Sequence, residues 1–382
     1  MSDRPLRVVF GVTSSEWGGN EKWAVTAAAG LAERGHDVTA LFSSRILLEE
    51  LERRGIRGRR ALFVADWSVA GLISLTRHFL ATRPDVVVLT RRREYMTGSL
   101  AAHFAARLAR RRWGDAGRPL VALRLGLRRR LKDDFPSRSA FGRLADLIIV
   151  NSPSIREGLG RSEWLDKGKV RVLLNGVETT DASPDEGRSA LQSFGIPPEA
   201  RIIVAAGRLN RQKGFDVLID AMAGVVSEMP AARLVILGDG KRLRSLQDRS
   251  SGLGLDDCVI FAGRRGDVRE IMAAADVYVL SSRNEGMANT LLEAMSVGTA
   301  IVATDVSGTR EAVRDGIDGL IVRPDDPEAI ARSVIGLLCD PALAGRLGAS
   351  ARIRVEELFS VERMISELES MLVDALHVSG RA

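Results

Sequence analysis

Short apolar runs bounded by polar loops alternate with longer, helix-periodic stretches along nearly the whole chain. In the first half the runs at 7–12, 36–42, 84–90, 120–124 and 144–152 predict strands, with further strands at 58–65 and 170–177. Such runs lack polar alternation, which suits strands of a parallel sheet buried on both faces. Between them, 23–34, 47–54, 69–82 and 96–112 predict helices. The second half repeats the pattern, with strands at 201–206, 234–240, 259–264, 276–280, 300–303 and 319–322. Its helices are expected at 215–227, up to about 252, at 268–274, 290–295, 309–313 and 327–338, and through a tail at 343–376. Strict alternation of strand and helix predicts α/β architecture with doubly wound parallel sheets.

The stretch 281–304, SSRNEGMANTLLEAMSVGTAIVAT, carries the densest chemistry. Ser281 to Asn284 end a strand, and at Gly286 the backbone can approach a ligand closely. Asn289 is expected as the N-cap of the next helix, leaving the N–H groups of Asn289, Thr290 and Leu291 to face a phosphate. Glu285 and Glu293 repel phosphate, so they suit sugar hydroxyls instead. Phosphate donors beside hydroxyl acceptors point to a nucleotide-sugar; the plain alternative is a surface loop and a capped helix. Arg208 and Lys213, between a strand and a helix, can neutralise the charge that grows on a leaving diphosphate. The alternative for them is a pair of surface cations. The sequence holds no GxxxxGK[ST] and no Asp-x-Asp, so neither a P-loop nor a metal-bridged diphosphate is indicated. The loop at 14–20 lacks GxGxxG, although Gly18 and Gly19 can bring backbone N–H groups to a phosphate or sugar.

At 382 residues, two domains are the expectation, with the linker in the polar stretch 178–187. No apolar run reaches the roughly 18–20 residues of a membrane span, and the chain enters a strand at once without a leader pattern. Cys258 and Cys339 are isolated and expected to be buried. A cytoplasmic protein without a metal site or cofactor is therefore expected. Residues 1–175 carry 32 Lys and Arg against 18 Asp and Glu, whereas the remainder carries 23 against 31. The basic half, with clusters at Arg91–Arg93, Arg110–Arg112 and Arg128–Arg130, is read either as solvated helix ends or as a peripheral docking face for an anionic membrane or lipid-linked acceptor. Aromatic residues do not interleave with the arginines, which argues against nucleic acid.

Gly207-Arg208-Leu209 followed by Lys213-Gly214 resembles the GRL…KG motif of family 4 glycosyltransferases, and Glu285-Gly286 with 289–295 resembles that family's EG…LEAM segment. Gly18-Gly19 with Glu21, His36-Asp37-Val38, Asn175-Gly176-Val177 and Leu237-Gly238-Asp239-Gly240 match in order. The resemblance implies a GT-B fold: an acceptor-binding Rossmann-like domain at 1–177 and a nucleotide-sugar-binding one at 178–360, facing a cleft, with 361–382 packing back on the first. It implies a retaining, metal-independent enzyme. Arg208 and Lys213 would hold the diphosphate, Glu293 the ribose and Glu285 the donor sugar. Gly286, Met287 and Ala288 would surround that sugar, Asn289 to Leu291 would offer N–H groups, and Gly263 and Arg264 would lie near the base. One position departs from the pattern: many members carry a histidine where this chain has Arg124-Leu125-Gly126, and Arg124 is the candidate stand-in. A catalytically silent nucleotide-sugar-binding scaffold and a nucleotide-sugar epimerase are the alternatives.

Overall fold

The computed structural model describes residues 4–14, 18–61, 68–113, 118–126, 131–179 and 181–380, apart from the side chains of 93 and 110–113. Ser15 to Trp17 of the glycine loop, the end of the expected strand at 58–65, the Arg128–Arg130 triplet and the side chains of Arg93 and Arg110–Arg112 lie outside the described residues.

The chain forms two compact units, residues 1–175 with 361–382 and residues 176–360. The polar stretch 178–187 lies wholly within the second unit. Its later part opens the helix Pro184–Ser193, where Ser183 caps by accepting the Glu186 N–H and Pro184 stands at the first turn.

The first unit holds seven parallel strands: β1 (Arg7–Val12), β2 (Asp37–Phe42), β3 (Arg57–Arg60), β4 (Val86–Leu89), β5 (Leu120–Leu125), β6 (Leu147–Val150) and β7 (Val170–Val172). Their order is β3-β2-β1-β4-β5-β6-β7. The central strands are buried on both faces, as their unbroken apolar sequences require. Val8, Phe10, Val86 and Val88 pack with Trp23 and Leu31 of the helix Gly19–Glu33 and with Leu368 and Leu372 of Val361–Val378. Val9, Val87 and Leu89 pack with Leu75 and Phe79 of Val69–Thr82 and with Met96 of Arg92–Trp113. The tail expected as one helical stretch is two helices, Pro341–Leu358 and Val361–Val378. The second is fastened to the first unit through Glu369, which pairs with Arg34 at 2.8 Å and His36 at 3.0 Å.

The second unit holds six parallel strands: β8 (Arg201–Ala206), β9 (Ala232–Leu237), β10 (Val259–Gly263), β11 (Val277–Leu280), β12 (Ala300–Thr304) and β13 (Leu320–Val322). Their order is β10-β9-β8-β11-β12-β13. Ile203, Ile236, Val279 and Val302 meet Leu218 and Met222 of the helix Phe215–Glu228 and Val334 of Pro327–Cys339.

Three expectations are corrected. The apolar run at 144–152 yields only a four-residue β6, because 138–144 winds into a π-helix and Ser152 caps the helix Pro153–Leu159 by accepting the Ile155 N–H. β3 is a short, fully exposed edge strand, blunted by Arg57, Arg59 and Arg60. Cys339 is exposed and Cys258 half-buried, since Cys339 ends its helix away from the apolar stripe.

Candidate functional site

Both sheets reverse their winding once, between β1 and β4 in the first unit and between β8 and β11 in the second. Open α/β sheets bind ligands in the crevice beyond the strands' carboxyl ends at such a switch point. The predicted site residues of the second unit fall there, except Gly263 and Arg264, which lie at the end of the edge strand β10. The loop after β8 carries Gly207, Arg208 and Lys213, and the loop after β11 carries Glu285 and Gly286.

These two loops are held together by many contacts. Lys213 Nζ lies 2.6 Å from Glu285 Oε1, with both side chains largely buried. Ser282 Oγ donates to the same carboxylate oxygen at 2.9 Å, and Ser281 Oγ donates to the Lys213 carbonyl at 2.9 Å. Arg283 donates to the Arg211 carbonyl and to both Asp216 oxygens, and its backbone N–H donates to the Gln212 carbonyl. Asn210 Oδ1 accepts the Lys213 N–H and closes the turn that presents the lysine. Gly214 makes the close approach possible: at φ +64° a Cβ would sit 2.0 Å from the Ser281 carbonyl oxygen.

The helix Asn289–Ser296 follows. Its N-cap is Ala288, without a side-chain cap, so Asn289 is the first helical residue and not the cap. The Leu291 N–H is engaged by the Ala288 carbonyl at 3.1 Å, which tightens the first turn and removes that donor from the expected set. Met287 and Ala288 are buried. Thr290 Oγ1 accepts from the Tyr278 hydroxyl at 2.9 Å. Burial pushes the Tyr278 phenol well up; the Thr290 hydrogen bond opposes this, and the charges of Glu293 and Glu285 add to it. Glu293 and Glu285, each 6% exposed, are thus both near enough to act on the Tyr278 phenol. Gly263 ends β10 at φ +69°, and its carbonyl accepts the Gly238 N–H. Arg264 and Arg208 are exposed.

In the first unit, Gly18 stands at the N-cap of Gly19–Glu33. Arg124, near the end of β5, is 2% exposed. Its guanidinium donates to Asn20 Oδ1 at 2.5 Å and Asn175 Oδ1 at 2.9 Å, and it lies 4.0 Å over the Trp23 ring. Burial lowers its pKa to about 10, against the supporting fields of Tyr95 and Glu21. Arg91 is not a solvated helix end: it pairs with Glu21, which is 1% exposed. Sequence reasoning missed Glu94, a fully buried carboxylate at the β1–β4 switch that accepts from the Thr13 N–H and hydroxyl and from the Thr90 and Arg91 N–H groups. Its only sequence signal was position, in the first turn of the helix that follows β4. Replacing Arg124 by alanine should cost about 3 kcal/mol, since the buried Asn175 oxygen, the half-buried Asn20 oxygen and one aromatic face lose the guanidinium. Denaturant unfolding of the full chain measures this; a loss below about 1 kcal/mol would show that the guanidinium does not hold the two asparagines.

No group of three or more His, Cys, Asp or Glu among the described residues is placed to hold a metal ion. No single described helix is long and apolar enough to cross a membrane.

The pattern of Glycosyltransferase Family 4 matches residues 17–181, and that of the group 1 glycosyl transferases matches 200–340. This chain belongs to glycosyltransferase family 4. Within it, the lipopolysaccharide core biosynthesis glycosyltransferase LpsE of Rhizobium meliloti is 34% identical over 229 residues, 60% of this chain and 64% of that protein. D-inositol 3-phosphate glycosyltransferase of Streptomyces avermitilis is 34% identical over 56% of this chain and 48% of that one. The chain thus spans about half to two thirds of the curated relatives it matches. Among solved structures, Anabaena Alr3699/HepE in complex with UDP-glucose superposes with a TM-score of 0.84 at 20% identity, covering 97% of this chain and 100% of that one. WaaG, a glycosyltransferase involved in lipopolysaccharide biosynthesis, superposes at 0.70 and 18% identity over 96% and 99%. These likenesses establish the GT-B fold, which each unit's parallel sheet already fits.

Proposed function

We propose that this chain is a retaining glycosyltransferase that moves a sugar from a nucleotide-sugar held by the second unit to a cell-envelope glycan or lipid-linked acceptor held by the first, without a metal ion. The observation that carries this reading is the Lys213–Glu285 pair at the β8–β11 switch point, followed by the buried Glu293 on the next helix. An arriving diphosphate shares the Lys213 ammonium with Glu285, and Arg208 adds a second cation from the same loop. As the sugar–phosphate bond breaks, both cations stabilise the growing negative charge. Glu285, held by Lys213 and Ser282, accepts sugar hydroxyls, and Glu293 accepts those of the ribose. The amino end of Asn289–Ser296 adds its dipole to the phosphate side.

The UDP-glucose named with HepE supports a UDP-linked sugar as donor, and the names of LpsE and WaaG support an envelope acceptor. The basic first half supports a peripheral position on the inner face of the membrane, which co-sedimentation with anionic against neutral vesicles across a salt series tests. For the reaction, the purified protein is screened against nucleotide-sugars by thermal shift. The donor that binds is then turned over with an acceptor in excess chelator, and the product's anomeric configuration is read by NMR. Transfer with retention, undiminished by chelator, is expected. Inversion, or abolition by chelator, overturns the corresponding part of the proposal, and sugar isomerised without acceptor would favour an epimerase.

A further inference from the structure

Tyr278 brings the only polar side-chain atom into β11, and it is completely buried. A phenylalanine would fill the same volume without a hydroxyl, and a buried hydroxyl costs stability unless it is hydrogen-bonded. The end of the strand pairing shows where its bonds go. β11 pairs with β8 at only two positions, Val277 with Ile203 and Tyr278 with Val204, although β8 runs on to Ala206 and β11 to Leu280. Burial pushes the phenol pKa well up, and the Ala206 N–H at the end of β8 acts on the same oxygen as a hydrogen-bond donor. The phenol therefore keeps its proton and has a donor facing its oxygen. Its own proton goes to Thr290 Oγ1, at 2.9 Å.

The consequence falls on Thr290. A threonine hydroxyl has one proton, and an oxygen that accepts from Tyr278 sends that proton elsewhere. Thr290 Oγ1 makes no other hydrogen bond among the described residues, so neither Glu285 nor Glu293 takes it. Thr290 is half-buried and is the second residue of the helix Asn289–Ser296. Its hydroxyl thus stands in the first turn, where backbone N–H groups have no acceptor within the helix. An O–H donor beside such N–H groups suits an anionic oxygen.

We propose that Tyr278 is a positioning residue for the donor: it fixes the Thr290 hydroxyl as a hydrogen-bond donor, and that hydroxyl takes a phosphate oxygen of the nucleotide-sugar. The inference rests on the donor-site reading of this helix and adds to it one side-chain donor, directed by a buried phenol that touches no ligand itself.

The test is a double-mutant cycle on the full chain, read by calorimetric titration with UDP, ADP and GDP and by the melting temperature of each unliganded variant. The diphosphate that the wild type binds most tightly is the probe. Thr290→Val keeps the side chain's shape without its hydroxyl and should weaken the probe about tenfold, whereas Thr290→Ser should stay within about twofold of wild type. Tyr278→Phe keeps the ring's volume, so the variant folds. It should weaken the probe about threefold to fivefold, because the threonine proton is no longer directed. Placed in the Thr290→Val background, Tyr278→Phe should add no further loss, although both backgrounds lose the same buried phenol and the same melting temperature. A tyrosine that only supports the fold would weaken the probe equally in both backgrounds, or in neither, and either result overturns the proposal. So does Thr290→Val with wild-type affinity. These failures leave the donor site standing where Lys213→Ala still weakens the same probe. A wild type that binds none of the three diphosphates removes the donor reading and this inference with it.

Discussion

Replacing Gly308 by alanine should destabilise the second unit by about 3 kcal/mol and take nucleotide binding with it. Gly308 has φ +86°, and a Cβ there would lie 1.5 Å from the Gly286 carbonyl oxygen and 2.5 Å from its carbon. Both are rigid backbone atoms at the centre of the 285–288 segment, so the loop that presents Glu285 must move. Gly316 supplies the control. Its φ is +72°, yet a Cβ there would meet nothing within 4 Å, so Gly316→Ala should cost only the left-handed penalty, about 1–2 kcal/mol. Denaturant unfolding followed by a probe in the second unit measures both. Equal losses would contradict the close approach of 308 to 286.

Lys213→Ala has the second large expected effect, and it acts twice. Nucleoside diphosphate affinity should fall roughly 10- to 100-fold, the loss of charge-assisted hydrogen bonds worth about 1.5–3 kcal/mol. Stability should also fall, because Glu285 is then a buried carboxylate without its cation. Adding Glu285→Gln separates the two effects. The double variant should recover much of the stability and none of the affinity. Unchanged diphosphate affinity in a folded Lys213→Ala protein would remove the lysine from the donor site.

Most of this architecture was legible in the sequence, because strands buried on both faces need continuous apolar runs, as at 202–206, 234–237, 277–280 and 300–303. The places where legibility failed share a physical cause. At 144–152 the turn at Ser152 was read from the sequence, but the π-helix Arg138–Leu144 takes Leu144 and the strand starts only at Leu147. At Asn289, a residue type that favours caps was displaced by one position, and only the backbone angles of Ala288 decide this. Lys213 and Glu285 were each visible as charged residues in loops after strands. Their 2.6 Å pairing was not, since it depends on Gly214 and the Ser281 carbonyl meeting across two loops far apart in sequence. Arg124 shows the same limit: periodicity places it at a strand end, while its asparagine partners come from residues 20 and 175. Long-range pairings of polar side chains leave no periodic trace.

Whether the β8–β11 switch point is a nucleotide-sugar site is decided by Glu293→Gln. The substitution removes a charge with little change of shape at a residue whose assigned task is the ribose. Nucleotide-sugar affinity is titrated in the wild type and the variant, beside the melting temperature of each without ligand. A donor site requires binding weakened by about tenfold or more and an unliganded melting temperature that does not fall. Unchanged affinity with a much lower melting temperature would make Glu293 a structural carboxylate and contradict the donor site.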